Sequence, residues 1–163
     1  ILIIGGDSTS YGSSPPSGKT WKQIFASEIQ SKLNPKDLER IKFLGTISYD
    51  KYIAILQLST VHIYLTYPFV LSWSLLEAMS IGCSVIASNT EPLKEIIVHN
   101  KTGIYVDFFD YKKLAIQISN LLDNKKLRNQ LSKNARDHII NNYDLNSICL
   151  PRQIKWVENL KNK

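Results

Sequence analysis

Cysteine and histidine are scarce in this chain, and their placement excludes much. The two cysteines, Cys83 and Cys149, have neither metal spacing nor a partner motif, and read as buried free thiols in a reducing compartment. His62, His99 and His138 are scattered over a strand, a loop and a basic helix, none beside a suitably spaced Cys or carboxylate. Asp107 and Asp110 are too far apart for an Asp-x-Asp clamp, so the sequence offers no metal site. A Gly-x-Ser-x-Gly elbow, a Walker sequence and a full Gly-x-Gly-x-x-Gly fingerprint are all lacking. No apolar run approaches the ~20 residues of a membrane span, and no signal-peptide pattern is visible. These absences predict a cytoplasmic, metal-free protein without a resident cofactor.

Acidic residues are also short, but unevenly. Residues 1–111 hold nine Lys/Arg against ten Asp/Glu, whereas 112–163 hold eleven against four, which accounts for the net charge of +6. The excess falls on C-terminal helical segments such as Lys125-Lys126-Leu127-Arg128. A solvated helix face explains it, and so does peripheral contact with the anionic inner face of a membrane. Nucleic acid is argued against, because the aromatics are not interleaved with these lysines.

What is present is an alternation. Five short apolar runs recur at Ile1–Ile4, Ile41–Leu44, Val61–Leu65, Ser84–Ala87 and Ile104–Val106. Helical spacing separates most of them, over Trp21–Leu33, Tyr49–Leu58 and Ser72–Ile81, with Gly82 as a left-handed C-terminal cap. The order predicts an α/β fold, a Rossmann-like doubly wound parallel sheet covered on both faces. Beyond Asp110 the pattern is helical, with a break at Asp123-Asn124 and a last helix from Asp144, interrupted near Pro151. At 163 residues the chain fits one domain, 1–163. It opens on a strand pattern running straight into Gly5-Gly6, and reads as a piece of a longer chain that begins inside its fold.

The candidate chemistry centres on Tyr67–Glu77. A helix starting near Ser72, just past a strand's carboxyl end, aims free N–H groups at the crevice where open α/β sheets bind ligands. Ser72 and Ser74 suit the cap, Trp73 and Leu75 belong to the first turn, and Glu77 is the one carboxylate in an otherwise apolar helix. Ordinary helix capping and a dipole-favoured surface glutamate account for the same pattern. Gly5-Gly6 and Gly45-Thr46 each mark a tight turn after a strand. The loop Ser8–Lys19 overhangs the same edge.

Over Ile41–Asp107 the sequence resembles the nucleotide-sugar-binding domain of the retaining glycosyltransferases called group 1 or family 4. The likeness runs through Phe43-Leu44-Gly45, Leu75-Leu76-Glu77-Ala78-Met79, Gly82, Val85-Ile86-Ala87-Ser88, Glu95-Ile96-Ile97, Asn100-Lys101-Thr102-Gly103 and Val106-Asp107. A subset is closer still, at Tyr11-Gly12, Thr20-Trp21-Lys22, Tyr64 through Phe69 and Leu150-Pro151-Arg152-Gln153. The resemblance implies the second half of a GT-B enzyme, in which two Rossmann-like domains face across a cleft. This chain is similar to the donor-binding half, without that half's first strand and its Arg/Lys pair for the diphosphate.

The same likeness implies a nucleoside-diphosphate sugar as donor and an acceptor that is a glycan, a lipid or a small molecule. Diphosphate would meet the N–H groups of Ser72, Trp73, Ser74 and Leu75, and Glu77 would hold the ribose. Gly45, Thr46 and Ile47 would line the base, with Gly5 and Gly6 at the back of the cleft. Phe69 stands where relatives carry the first of two motif glutamates, which contacts the transferred sugar. Val70 and Ser72 replace the usual glycines. A nucleotide-sugar epimerase of GT-B fold and a non-catalytic sugar- or partner-binding descendant are the alternatives. No protein nucleophile is evident, and no catalytic residue is assigned.

Overall fold

β-Branched and aliphatic residues dominate five short segments, and all of them form parallel strands in the computed structural model, which describes residues 1–7, 13–67 and 70–161. Phe69, Pro68 and the Tyr11-Gly12 pair lie outside the described residues, as does much of the Ser8–Lys19 loop. The chain divides into two compact units, Ile1–Ile53 and Ala54–Lys163.

In the first unit β1 (Leu2–Ile4) pairs in parallel with β2 (Lys42–Gly45), with a register shift between Ile3 and Ile4. Helix α1 (Trp21–Gln30) opens on a capping box. Thr20 Oγ1 accepts from the Gln23 N–H at 3.1 Å, and Gln23 Oε1 accepts from the Thr20 N–H at 2.8 Å. Phe25 of α1 meets Phe43 of β2 edge-on at 5.8 Å. Apolar spacing extends this helix to Leu33, yet it ends at Gln30. Pro35 is the reason: it forces Asn34 into extended backbone (φ −74°, ψ 161°) and starts a new short helix, α2 (Pro35–Leu38). Helix α3 (Tyr49–Leu58) has the expected bounds.

The second unit holds β3 (His62–Tyr64), β4 (Val85–Ser88) and β5 (Ile104–Val106) in the order β3-β4-β5. Every residue of β4 is buried, as expected of a central parallel strand covered on both faces. Helix α4 (Trp73–Ile81) contributes Leu75, Ala78 and Met79 to the interior, all fully buried. Gly82 takes the left-handed conformation (φ 88°) that ends this helix. The Ser132 hydroxyl then donates to the Gly82 carbonyl, and the Arg136 guanidinium to that of Ser80. Three further helices follow a short α5 (Glu91–Lys94): α6 (Tyr111–Asp123), α7 (Lys125–Tyr143) and α8 (Leu150–Lys161). Leu121 of α6 and Leu131 of α7 join Ile86, Ile104 and Val106 in one apolar cluster.

Breaks between these helices follow local chemistry. Asn124 ends α6 and caps α7, its Oδ1 accepting from the Leu127 N–H at 2.9 Å. Asp144 caps a π-helical turn, Leu145–Cys149, accepting from the Ser147 N–H and hydroxyl at 2.8 and 2.7 Å. The Ser147 hydroxyl, then its N–H, hold the Asp144 carboxyl below its usual range. Pro151 does not interrupt the last helix; it sits in the first turn of α8, where a missing N–H costs nothing. Among the described residues no helix is long and apolar enough to cross a membrane.

The histidines are built into this framework. His99 Nδ1 accepts from the Tyr105 N–H at 2.9 Å, and the two rings stack at 5.6 Å. His138 packs against Tyr143. His62 of β3 is desolvated, which holds its pKa below the ordinary 6.5. An imidazole whose folded pKa is depressed binds its proton more readily in the unfolded chain, so stability is complete above that ordinary value and falls as pH drops below it. Chemical denaturation is therefore expected to show lower stability at pH 5.5 than at 7.5, and His62→Gln to shrink the difference. An undiminished difference in the variant would assign the effect elsewhere.

Candidate functional site

Parallel strands bring all their carboxyl ends to one edge, so the residues following β3, β4 and β5 gather there. Ser72 has extended backbone (φ −90°, ψ 145°) and caps α4, its Oγ accepting from the Ser74 N–H at 3.3 Å and lying 2.9 Å from Ser74 Oγ. The Ser72 N–H in turn donates to the Tyr64 hydroxyl at 3.2 Å. A side chain of β3 thus fixes where α4 begins. Trp73, the first helical residue, is 81% exposed. Leu75 is fully buried, and its N–H donates to the Ser72 carbonyl at 3.2 Å. Glu77 is half-buried on the second turn, among the packing residues Leu75, Ala78 and Met79.

The remaining predicted residues belong to the first unit. Gly5 (φ 140°) donates its N–H to the Gly45 carbonyl at 3.1 Å, and Gly45 itself has φ 65°. A Cβ added to Gly6 would come 4.0 Å from Thr46 Oγ1. Thr46 is exposed and Ile47 half-buried. The structure therefore brings Gly5, Gly6, Gly45 and Thr46 together at the carboxyl ends of β1 and β2, and Ser72, Trp73, Ser74, Leu75 and Glu77 together at the start of α4.

Several contacts at these edges escape a reading of the sequence. Lys22 Nζ lies 3.2 Å from Asp7 Oδ1 and 5.3 Å from the Phe43 ring centroid. Ser88, fully buried at the end of β4, accepts from the Thr66 N–H at 2.9 Å and donates to the Thr66 carbonyl at 2.7 Å. Tyr105 of β5 donates its hydroxyl to the Leu93 and Ile97 carbonyls at 2.7 and 2.8 Å. Burial and the Glu91 carboxylate push that phenol up to about 12. Cys83 is buried, its thiol pushed up to about 11 by desolvation, while Cys149 is half-buried.

A polar depression of about 520 Å³ lies elsewhere, lined by Asn100, Ile104, Gln117, Asn120, Asp123 and Lys125 among others. It contains none of the predicted residues and borders Ile104, at the amino end of β5. Ligands of open α/β sheets bind at the opposite, carboxyl ends. What the α4 edge offers chemically is a capped helix N-terminus suited to an anion and a carboxylate suited to hydroxyl groups. Among the described residues no three His, Cys, Asp or Glu side chains gather as a metal would require.

The sequence profile of the family described as "Glycosyl transferases group 1" matches residues 2–138. The chain belongs to this family. A glycosyltransferase of Methanocaldococcus jannaschii, itself uncharacterized, is 30% identical over 122 residues, covering 67% of this chain and 31% of that protein. Sucrose-phosphate synthase from Thermosynechococcus elongatus superposes with a TM-score of 0.75 at 23% identity, over 99% of this chain and 39% of that one. HepE of Anabaena, solved in complex with UDP, gives 0.71 at 18% identity, over 99% and 40%; it has also been solved with UDP-glucose. The structural neighbours of this group 1 chain are GT-B glycosyltransferases. The chain spans about a third of the length of the curated relative and two-fifths of these solved proteins.

Proposed function

We propose that this chain is the donor-binding half of a family 4 glycosyltransferase, which moves a hexose from a nucleoside diphosphate to an acceptor with retention of configuration. The observation that carries the reading is the opening of α4, capped by Ser72, beyond the carboxyl end of parallel β3. The N–H that meets the diphosphate there is that of Trp73, because those of Ser72, Ser74 and Leu75 are donated to the Tyr64 hydroxyl, Ser72 Oγ and the Ser72 carbonyl. Glu77 holds the ribose. The family likeness alone assigns the base to Gly45, Thr46 and Ile47, with Gly5 and Gly6 behind it. Catalysis is then mainly positioning and stabilisation of charge on the leaving group. The base to test first is uracil, since HepE binds UDP and UDP-glucose.

Donor binding on this reading is metal-free and helix-borne. Calorimetric titration of UDP, UDP-glucose and uridine into the intact protein, with and without a chelator, tests it. Chelator is expected to change nothing, and rising salt to weaken UDP more than uridine. Binding that returns only with divalent metal would count against the mechanism. The 163-residue chain by itself is expected to bind donor weakly and transfer nothing, because this reading puts the acceptor site and the cationic diphosphate clamp outside a chain that spans two-fifths of the solved proteins it superposes on. Turnover by this chain alone would refute that division of labour. The basic excess on α6 to α8 supports peripheral attachment to the inner face of a membrane.

A further inference from the structure

Apolar aromatic rings normally pack into a core; several stay exposed here, and two of those gather with a third, half-buried ring in one cluster. Tyr67, in the segment after β3, meets Phe108 at 5.2 Å and Phe109 at 5.1 Å between ring centroids. Phe108 and Phe109, just past β5, meet each other edge-on at 5.0 Å. Phe108 is half-buried, but Tyr67 and Phe109 stay 58% and 68% exposed.

Hydrogen bonds tie down the backbone that carries the cluster. Buried Ser88 clamps both backbone groups of Thr66, the residue before Tyr67. The Asn89 N–H donates to the Val106 carbonyl at 2.7 Å, tying the end of β4 to that of β5. Asp107 Oδ1 accepts from the Phe109 N–H at 2.9 Å, and the Tyr111 N–H donates to the Phe109 carbonyl at 3.0 Å. The rings are thus presented on fixed backbone, at the carboxyl edge where α4 also opens. Two exposed carboxylates, Asp107 and Asp110, flank Phe109.

We propose that Tyr67, Phe108 and Phe109 form a stacking platform for the pyranose ring of a sugar, with Asp107 beside it to accept from ring hydroxyls. A pyranose presents one face of C–H bonds and a rim of hydroxyls; the C–H face suits the negative face of an aromatic ring, and the rim suits a carboxylate. Asp107 and Asp110 on either side of Phe109 disfavour a diphosphate against its ring, while Lys112 and Lys113 lie in the first turn of α6 just beyond, so a lipid headgroup is left to the test. The inference rests on the glycosyltransferase reading and extends it by naming where a sugar ring lies. That ring comes either from the donor's glycosyl group or from a carbohydrate acceptor.

The test uses the intact protein and its Phe109→Ala, Tyr67→Ala and Phe109→Trp variants. Calorimetry with UDP and UDP-glucose, and with GDP and GDP-mannose, reads the donor arm; capture on a panel of neutral oligosaccharides reads the acceptor arm. Each alanine variant is expected to lose about fivefold or more in affinity for sugar in one arm. Affinity for the sugar-free nucleotides should stay unchanged and Phe109→Trp should restore sugar binding. The arm that responds identifies the source of the ring. Unchanged sugar affinity in both arms overturns the proposal, as does an equal loss for nucleotide and nucleotide-sugar, or a wild type that captures no sugar at all. Loss of binding to phosphatidylglycerol vesicles with sugar binding intact would make the cluster a lipid contact instead. A wild type without nucleotide affinity fails the donor reading alone, and the oligosaccharide panel then decides the platform independently.

Discussion

Glu77→Ala is expected to weaken UDP binding to the intact protein by about 1.5–3 kcal/mol, the usual worth of hydrogen bonds to a charged group. The variant is expected to stay folded, since the packing of α4 rests on Leu75, Ala78 and Met79 and alanine is the better helix former. If the carboxylate holds ribose hydroxyls, uridine should lose as much as UDP. The 2′,3′-dideoxy analogue of UDP should bind the wild type and the variant equally. Glu77→Gln, which keeps an acceptor but not the charge, should fall between the two. Unchanged UDP affinity in a calorimetric titration would sink the assignment, and a dideoxy analogue that loses as much as UDP would move Glu77 off the ribose.

The fold was largely legible because its signals are local. Ile104–Val106 and Tyr49–Leu58 have the expected bounds, since a buried strand and a helix each impose their own periodicity. Ser72 and Gly82 bracket α4 because cap chemistry is written into single residues. The four-residue helices α2 and α5 left no periodic trace, and Pro35 cut α1 short of its apolar pattern. The site was legible only in part. The Ser72 helix could be found from its place after a strand, but the Tyr64 hydroxyl that anchors it could not. Ser88 and Thr66 lie twenty-two residues apart, and Tyr67 meets Phe109 only because β3 and β5 flank β4. Such contacts are products of strand order, which composition and spacing do not encode. The same limit makes Lys22 and Asp7 look unrelated in sequence although they pair in space.

Trp73→Pro is expected to lower UDP affinity about tenfold or more, the loss of one charge-assisted hydrogen bond from a helix N-terminus. The affinity for uridine should barely change. Proline is tolerated at the first position of a helix, where it removes an N–H without disturbing the ladder. Its demand on the preceding residue is already met, because Ser72 is extended at ψ 145°. The cap also survives, since Ser72 Oγ accepts from the Ser74 N–H rather than from Trp73. Ser74→Pro is the less clean variant for that reason: it would remove the capping bond itself. Trp73→Ala controls for the exposed indole, and its UDP affinity should stay near that of the wild type if the N–H, not the ring, meets the phosphate. Together the two positions separate the nucleotide into its parts: Glu77→Ala should act on uridine and UDP alike, and Trp73→Pro on UDP alone. A proline variant that folds and binds UDP as tightly as wild type would remove the α4 N-terminus from the donor site.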